Sequence, residues 1–175
     1  MLKIIPLRKE NLKSLLAVRN EIHNRSASFK MGIITNKDHK KWFEKMDNLK
    51  KNFYFVVIFK KELVGCIYFK RYNKLKNNFL WGFYNKKSVN IDKFGSTLKY
   101  SLFEIIFNHY KLKKIYCEVK KEFEWIKQWH IRWGHKQISS NKIKYTLYLD
   151  RIRWQKIKKK LVKKKNQKLK IKFYL

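Results

Sequence analysis

Gly95-Ser96-Thr97 stands where a polar loop turns into a helix, and such a junction is a place for phosphate chemistry. The residues before it include the turn formers Asn85, Ser88, Asn90 and Asp92. Those after it, Leu98, Leu102, Ile105, Ile106 and Tyr110, recur at the spacing of one helix face. A loop that feeds a helix N-terminus presents unpaired backbone N–H groups and about half a unit of positive charge. Together these bind phosphate. The apolar, aromatic run 79–84 precedes the loop and the run 115–119 follows the helix, and both read as strands. The unit therefore suits a ligand that carries phosphates and lies beside a strand.

The whole chain favours anions. Its 175 residues carry a formal charge of +33, which would draw in any phosphorylated substrate or cofactor. The lysines are spread from end to end without an RNA- or DNA-reading motif, so no specific nucleic-acid partner is expected. Residues 151–175 hold 12 basic residues and no acidic one. That tail reads as a basic extension, partly disordered or frayed helix, with weak contact to an anionic membrane or RNA as its functional alternative. Cys66 and Cys117 lie in strand-like runs with no C-x-x-C spacing and no histidine partner pattern, so they read as buried, reduced thiols and no metal is expected. The run 53–59 is too short to span a bilayer and residues 1–6 do not form a secretion signal, which points to the cytoplasm.

The elements that must position this site follow from periodicity. Residues 2–7 read as a strand. Asn11 caps a helix whose face is Leu12, Leu15, Leu16, Arg19 and Ile22. Arg19 interrupts that apolar stripe, either as a hydrogen-bond hub or as a contact to substrate or its covering loop. Residues 24–34 read as a loop. Thr35-Asn36-Lys37-Asp38 resembles a capping box opening a helix with His39, Trp42, Phe43 and Met46 on its face. Strands at 53–59, 63–69 and 78–84 form a meander. A helix from Gly95 to Tyr110 crosses over to a strand at 114–119. A helix at 122–133 ends at Gly134, and a hairpin at 138–149 turns at Ser139-Ser140-Asn141. The expected class is α+β: a mixed, mostly antiparallel central sheet flanked by helices, one domain over 1–150 with the extension 151–175.

The order of these elements resembles the GNAT superfamily of acetyl-CoA-dependent N-acetyltransferases. The resemblance covers about residues 2–150. It is carried by Arg19-Asn20, Met31, Ile34-Thr35, His39 and Trp42, by Leu63-Val64-Gly65 and Trp81-Gly82-Phe83-Tyr84, and by Cys117-Glu118-Val119, His130, Arg132 and Gly134. It is similar above all to the subfamily that acetylates the 4-amino group of a UDP-linked 4-amino-4,6-dideoxy sugar in pseudaminic acid synthesis. The family usually has two glycines in its pyrophosphate loop, whereas only Gly95 stands here.

The resemblance implies acetyl-CoA as co-substrate and an amino sugar on a nucleotide as acceptor, in a monomer or homodimer. Gly82, Phe83 and Tyr84 would pair with pantetheine. The backbone at Ile91, Lys93, Phe94, Gly95, Ser96 and Thr97 would hold the pyrophosphate. Arg19, Asn20, Met31, His39 and Trp81 would contact the acceptor. His130 occupies the position of the family's general acid and would protonate the CoA sulfur, and Glu118 would accept the amine proton. The alternatives are acetylation of a protein α-amine and a degenerate, non-catalytic basic module.

Overall fold

A computed structural model describes residues 2–47, 52–73, 78–89, 91–164 and 171–173. The architecture is α+β, with a mixed, mostly antiparallel sheet and flanking helices, as the periodicities indicate. The chain divides into two compact units, 1–70 with 82–101 and 169–175, and 71–81 with 102–168.

In the first unit, β1 (Leu2–Pro6) pairs antiparallel with β2 (Asn52–Phe59), and β2 with β3 (Glu62–Asn73). Strand β2 is apolar along its length because both faces are covered; Phe55, Val56 and Val57 are each at most 3% exposed. Helix α1 (Leu12–Asn20) buries Leu12, Leu15, Leu16 and Val18. Helix α3 (Asn36–Asp47) opens as its capping residues dictate. The Thr35 hydroxyl accepts from the Asp38 N–H at 3.1 Å and donates to the Asp38 carboxylate at 2.7 Å. Between them the expected loop contains a short helix, α2 (Ile22–Ser26). It forms because Asn24, Arg25 and Ala27 return their N–H groups to Glu21 and His23 carbonyls.

The second unit holds β5 (Lys114–Lys120), α5 (Glu124–Arg132), β6 (Lys136–Ser140) and β7 (Lys144–Asp150), with β7 paired antiparallel to β5 and β6. A single 3-10 turn, Lys121–Phe123, replaces the start expected for α5. Gly134 ends that helix at φ +87°. A Cβ there would lie 2.8 Å from Ile157, so glycine is required on two counts. The β6–β7 turn is set by the Asn141 carboxamide oxygen, which accepts from the N–H groups of Ile143 and Lys144 at 2.9 and 2.8 Å.

Two elements, β4 (Asn78–Asn85) and α4 (Ile91–Glu104), contribute residues to both units. The chain leaves α4 through a π-helical turn, Ile105–His109.

The basic tail departs most from expectation. Residues 151–164 form α6 (Arg151–Lys164), which continues directly from β7, and Ile171–Phe173 form β8, parallel to β1. Trp154 is fully buried, stacked 6.4 Å from Trp133 and edge-on to Phe103 at 5.2 Å. One aromatic side chain converts a lysine-rich stretch, apparently fit only for solvent, into part of a core. Residues 165–170, 174 and 175 of the expected tail lie outside the described residues.

Candidate active site

In the first unit the sequence-expected residues Arg19, Asn20, Met31 and His39 gather at α1, its following loop and α3. The Asn20 carboxamide clamps Ile34 with two bonds, donating to its carbonyl at 2.9 Å and accepting from its N–H at 3.0 Å. Arg19 donates to the Lys30 carbonyl at 3.3 Å and lies 5.6 Å from the centroid of the Tyr84 ring. It is thus both a loop anchor and a cation over an aromatic face. No carboxylate pairs with it among the described residues, and its Nη1 is buried without a hydrogen-bond partner. Met31 is exposed, its carbonyl accepting from Arg25 at 3.3 Å.

His39 is buried and stacked on Trp42 at 4.9 Å, which in turn stands edge-on to Tyr54. Tyr54, Tyr68 and Tyr84 continue this aromatic row at centroid spacings of 5.0 and 5.5 Å. Burial raises the phenols of Tyr54 and Tyr84 far above their ordinary value, and neighbouring acidic groups reinforce it. They stay protonated and cannot act as bases. The row depends on two glycines: a Cβ at Gly82 would run into the Tyr68 ring, 2.6 Å from its Cζ, and one at Gly65 would lie 2.7 Å from the Tyr84 carbonyl oxygen. Sequence reasoning missed Tyr54 and Tyr68, which read as ordinary strand residues. It also missed the second clamp, in which Asn24 and His23 both reach the Asn85 carbonyl, at 2.9 and 2.8 Å.

Burial, aided by the Arg19 charge, lowers the His39 pKa from 6.5. The folded protein therefore binds fewer protons than the unfolded chain just below pH 6.5, so stability must rise with pH there. This contribution is complete above pH 6.5 and is lost as pH falls toward the lowered folded value. Denaturant melts between pH 8 and pH 5 should show the decline, and His39→Gln should flatten it. An unchanged profile in that variant refutes the assignment.

The helix start expected at Gly95 is corrected. Helix α4 begins at Ile91, one turn before Gly95. Within that helix the N–H groups of Ile91, Asp92 and Lys93 have no intrahelical acceptor, while those of Gly95, Ser96 and Thr97 fall on helical acceptors. Asn90 lies outside the described residues. The sequence obscures this start because Asp92 and Lys93 resemble loop residues until Phe94 is counted as helical.

In the second unit β4 and β5 are parallel through two register pairs, Phe79–Ile115 and Leu80–Tyr116. Strand β5 continues to Lys120 in full register with β7. Glu118 projects from this stretch and is ion-paired with Lys144. His130, in the last turn of α5, is 5% exposed and sits against Trp81 and Trp129 at 5.2 and 5.4 Å. Trp81 is 3% exposed, also faces Phe103, and belongs to a different unit from Arg19, Asn20, Met31 and His39. Cys117 and His135 were not grouped with His130 by the sequence, yet the ligand atoms of all three lie within 4.8 Å of one another. This corrects the reading of Cys117 as a thiol without histidine neighbours.

No protein-family model matches the chain, and no curated protein matches it by sequence. Solved structures do match its fold. The apo form of FdhC, described as a nucleotide-linked sugar GNAT, superposes with a TM-score of 0.76 at 13% identity, covering 92% of this chain and 93% of FdhC. The spermidine N-acetyltransferase of Vibrio cholerae in complex with CoA and spermine gives 0.78 at 16% identity, covering 88% and 98%. An N-acetyltransferase from Staphylococcus aureus Mu50 gives 0.72 at 17% identity, covering 86% and 98%. The chain has the fold of the GNAT N-acetyltransferases.

Proposed function

We propose that this protein is an acetyl-CoA-dependent N-acetyltransferase whose acceptor is the 4-amino group of a UDP-linked amino sugar. The observation that carries the transferase reading is the β4–β5 ladder, which within this fold stops at Leu80–Tyr116 while β5 runs on to Lys120. The backbone of Gly82, Phe83 and Tyr84 would pair with the pantetheine amides. The first-turn N–H groups of α4 would hold the pyrophosphate.

The neutral sugar amine attacks the thioester carbonyl carbon, the C–N bond forms, and the C–S bond breaks. Glu118 takes the proton lost by the amine and His130 gives one to the departing thiolate, so charge and protons balance. A backbone N–H near Phe83 would steady the oxyanion.

An anionic acceptor is favoured over a polyamine by charge. FdhC is described as a nucleotide-linked sugar GNAT, and the Vibrio cholerae enzyme is in complex with spermine. A chain of net charge +33, whose Arg19 guanidinium lies over Tyr84 with no carboxylate partner among the described residues, attracts a nucleotide diphosphate and repels spermine.

Calorimetric titration with acetyl-CoA, followed by mass spectrometry of a UDP-4-amino sugar, tests the reading. Stoichiometric acetyl-CoA binding and a single added acetyl group on the sugar are expected. Acetylation of peptide α-amines without sugar acetylation would transfer the assignment to protein substrates. No acetyl-CoA binding would leave a non-catalytic basic module.

A further inference from the structure

We propose that Cys117, His130 and His135 form a binding site for a single thiophilic transition-metal ion of the zinc type. All three side chains are at most 5% exposed, and their Sγ and ring-nitrogen donors lie within 4.8 Å of one another. A tetrahedral zinc ion with Zn–N and Zn–S bonds of about 2.0–2.3 Å holds its donors about 3.3–3.8 Å apart. Small side-chain rotations therefore close the triad on an ion, with a fourth position left for water or a substrate atom.

The scaffold already has the order that metal sites use. Strand β5 fixes Cys117 through the Cys117–Leu147 pair. Gly134, at φ +87°, folds the chain back so that the backbone N–H of His135 donates to the His130 carbonyl at 3.2 Å. The ring Nδ1 of His135 lies 3.1 Å from the same carbonyl oxygen and, as an N–H, donates to it. That bond selects the tautomer whose lone pair is on the wholly buried Nε2. A ligating histidine whose second nitrogen donates to a backbone carbonyl is the usual outer-shell arrangement of metal sites. Trp81 and Phe103 close the cluster with apolar rings 5.5 and 5.6 Å from His135.

The donor set chooses the ion. One thiolate and two imidazoles favour zinc or copper over magnesium or calcium, which demand oxygen. The positive field of the chain opposes hard, weakly bonded cations in particular, whereas a metal–thiolate bond forms at short range. On coordination the Cys117 thiol proton passes to solvent, and nothing is oxidised or reduced.

One consequence rests on the transferase reading above. If His130 is the proton donor to the CoA thiolate, a metal bound to its ring nitrogen withholds it, and the occupied enzyme is silent.

The full-length protein, stripped with a chelator, is titrated with Co²⁺ and then Zn²⁺. One equivalent of cobalt should bind with a thiolate-to-cobalt charge-transfer band, which zinc should remove; native mass spectrometry should show one zinc per chain. The near-isosteric Cys117→Ser should lose the band, and His135→Gln should weaken binding at least tenfold. Cys66→Ala, which removes the other buried thiol, should keep it. Absence of the band in the wild-type chain, its persistence in Cys117→Ser, or its loss in Cys66→Ala overturns the site. One equivalent of zinc should also stop acetyl transfer in the wild type. Metal binding without any acetyl transfer would overturn the transferase reading and leave the site standing. Acetyl transfer without metal binding would do the reverse.

Discussion

Replacing His130 by phenylalanine should lower kcat for acetyl transfer by about 10²- to 10³-fold, the usual contribution of a positioned general acid. The thiolate of CoA is a poor leaving group without a proton, and phenylalanine keeps the ring volume while removing both nitrogens. Packing against Trp81 and Trp129 should survive, because those contacts are ring to ring at 5.2 and 5.4 Å. The helix end should survive as well, since it is the backbone carbonyl of residue 130 that accepts from Trp133 and His135. Acetyl-CoA affinity measured by calorimetry should therefore stay within a few-fold of wild type. Full turnover would remove His130 from the mechanism and leave it a buried member of the Trp81 cluster.

Trp154→Ala should cost about 3–5 kcal/mol, the range for deleting a large, fully buried aromatic side chain. Its ring is sandwiched by Phe103 and Trp133, and its Nε1 donates to the Glu104 carboxylate at 3.0 Å. Glu104 also accepts from Lys158 at 2.6 Å and from Asn108 at 2.9 Å, so the same carboxylate joins α6 to the end of α4. The cavity and the lost donor act together, and a drop in thermal midpoint should be plain by circular dichroism. Trp154→Phe, which refills most of the volume, should recover part of it. Truncation after Asp150 should be at least as damaging as Trp154→Ala. A truncated chain that melts like the full-length one would show that α6 contributes nothing to the core.

The sequence by itself was enough for the class of fold. Alternation and apolar runs located the strands, 3–4 spacing located α1, α3 and α5, and Gly134 was legible as a helix terminator because few other residues tolerate a positive φ. The order of those elements led to the GNAT fold. Arg19 announced itself by interrupting an apolar stripe. These are local signals, carried by neighbours in the chain.

Tertiary structure alone decided the rest. The periodic signal of α4 is strong only from Leu98 onward, so its true start at Ile91, and with it the set of free N–H groups, was hidden behind charged residues that suit a loop equally well. Helix α6 looked like a solvated tail because lysines dominate its composition, and only the packing of Trp154 into the second unit makes it part of a core. Cys117 stands 13 residues before His130 and 18 before His135 in the chain. No spacing rule joins them, and β5, α5 and the turn at Gly134 bring their donors within 4.8 Å. Local periodicity reports which face of an element is apolar. Which distant side chains then share that interior is set by long-range packing, and that is where the chemistry of this protein is assembled.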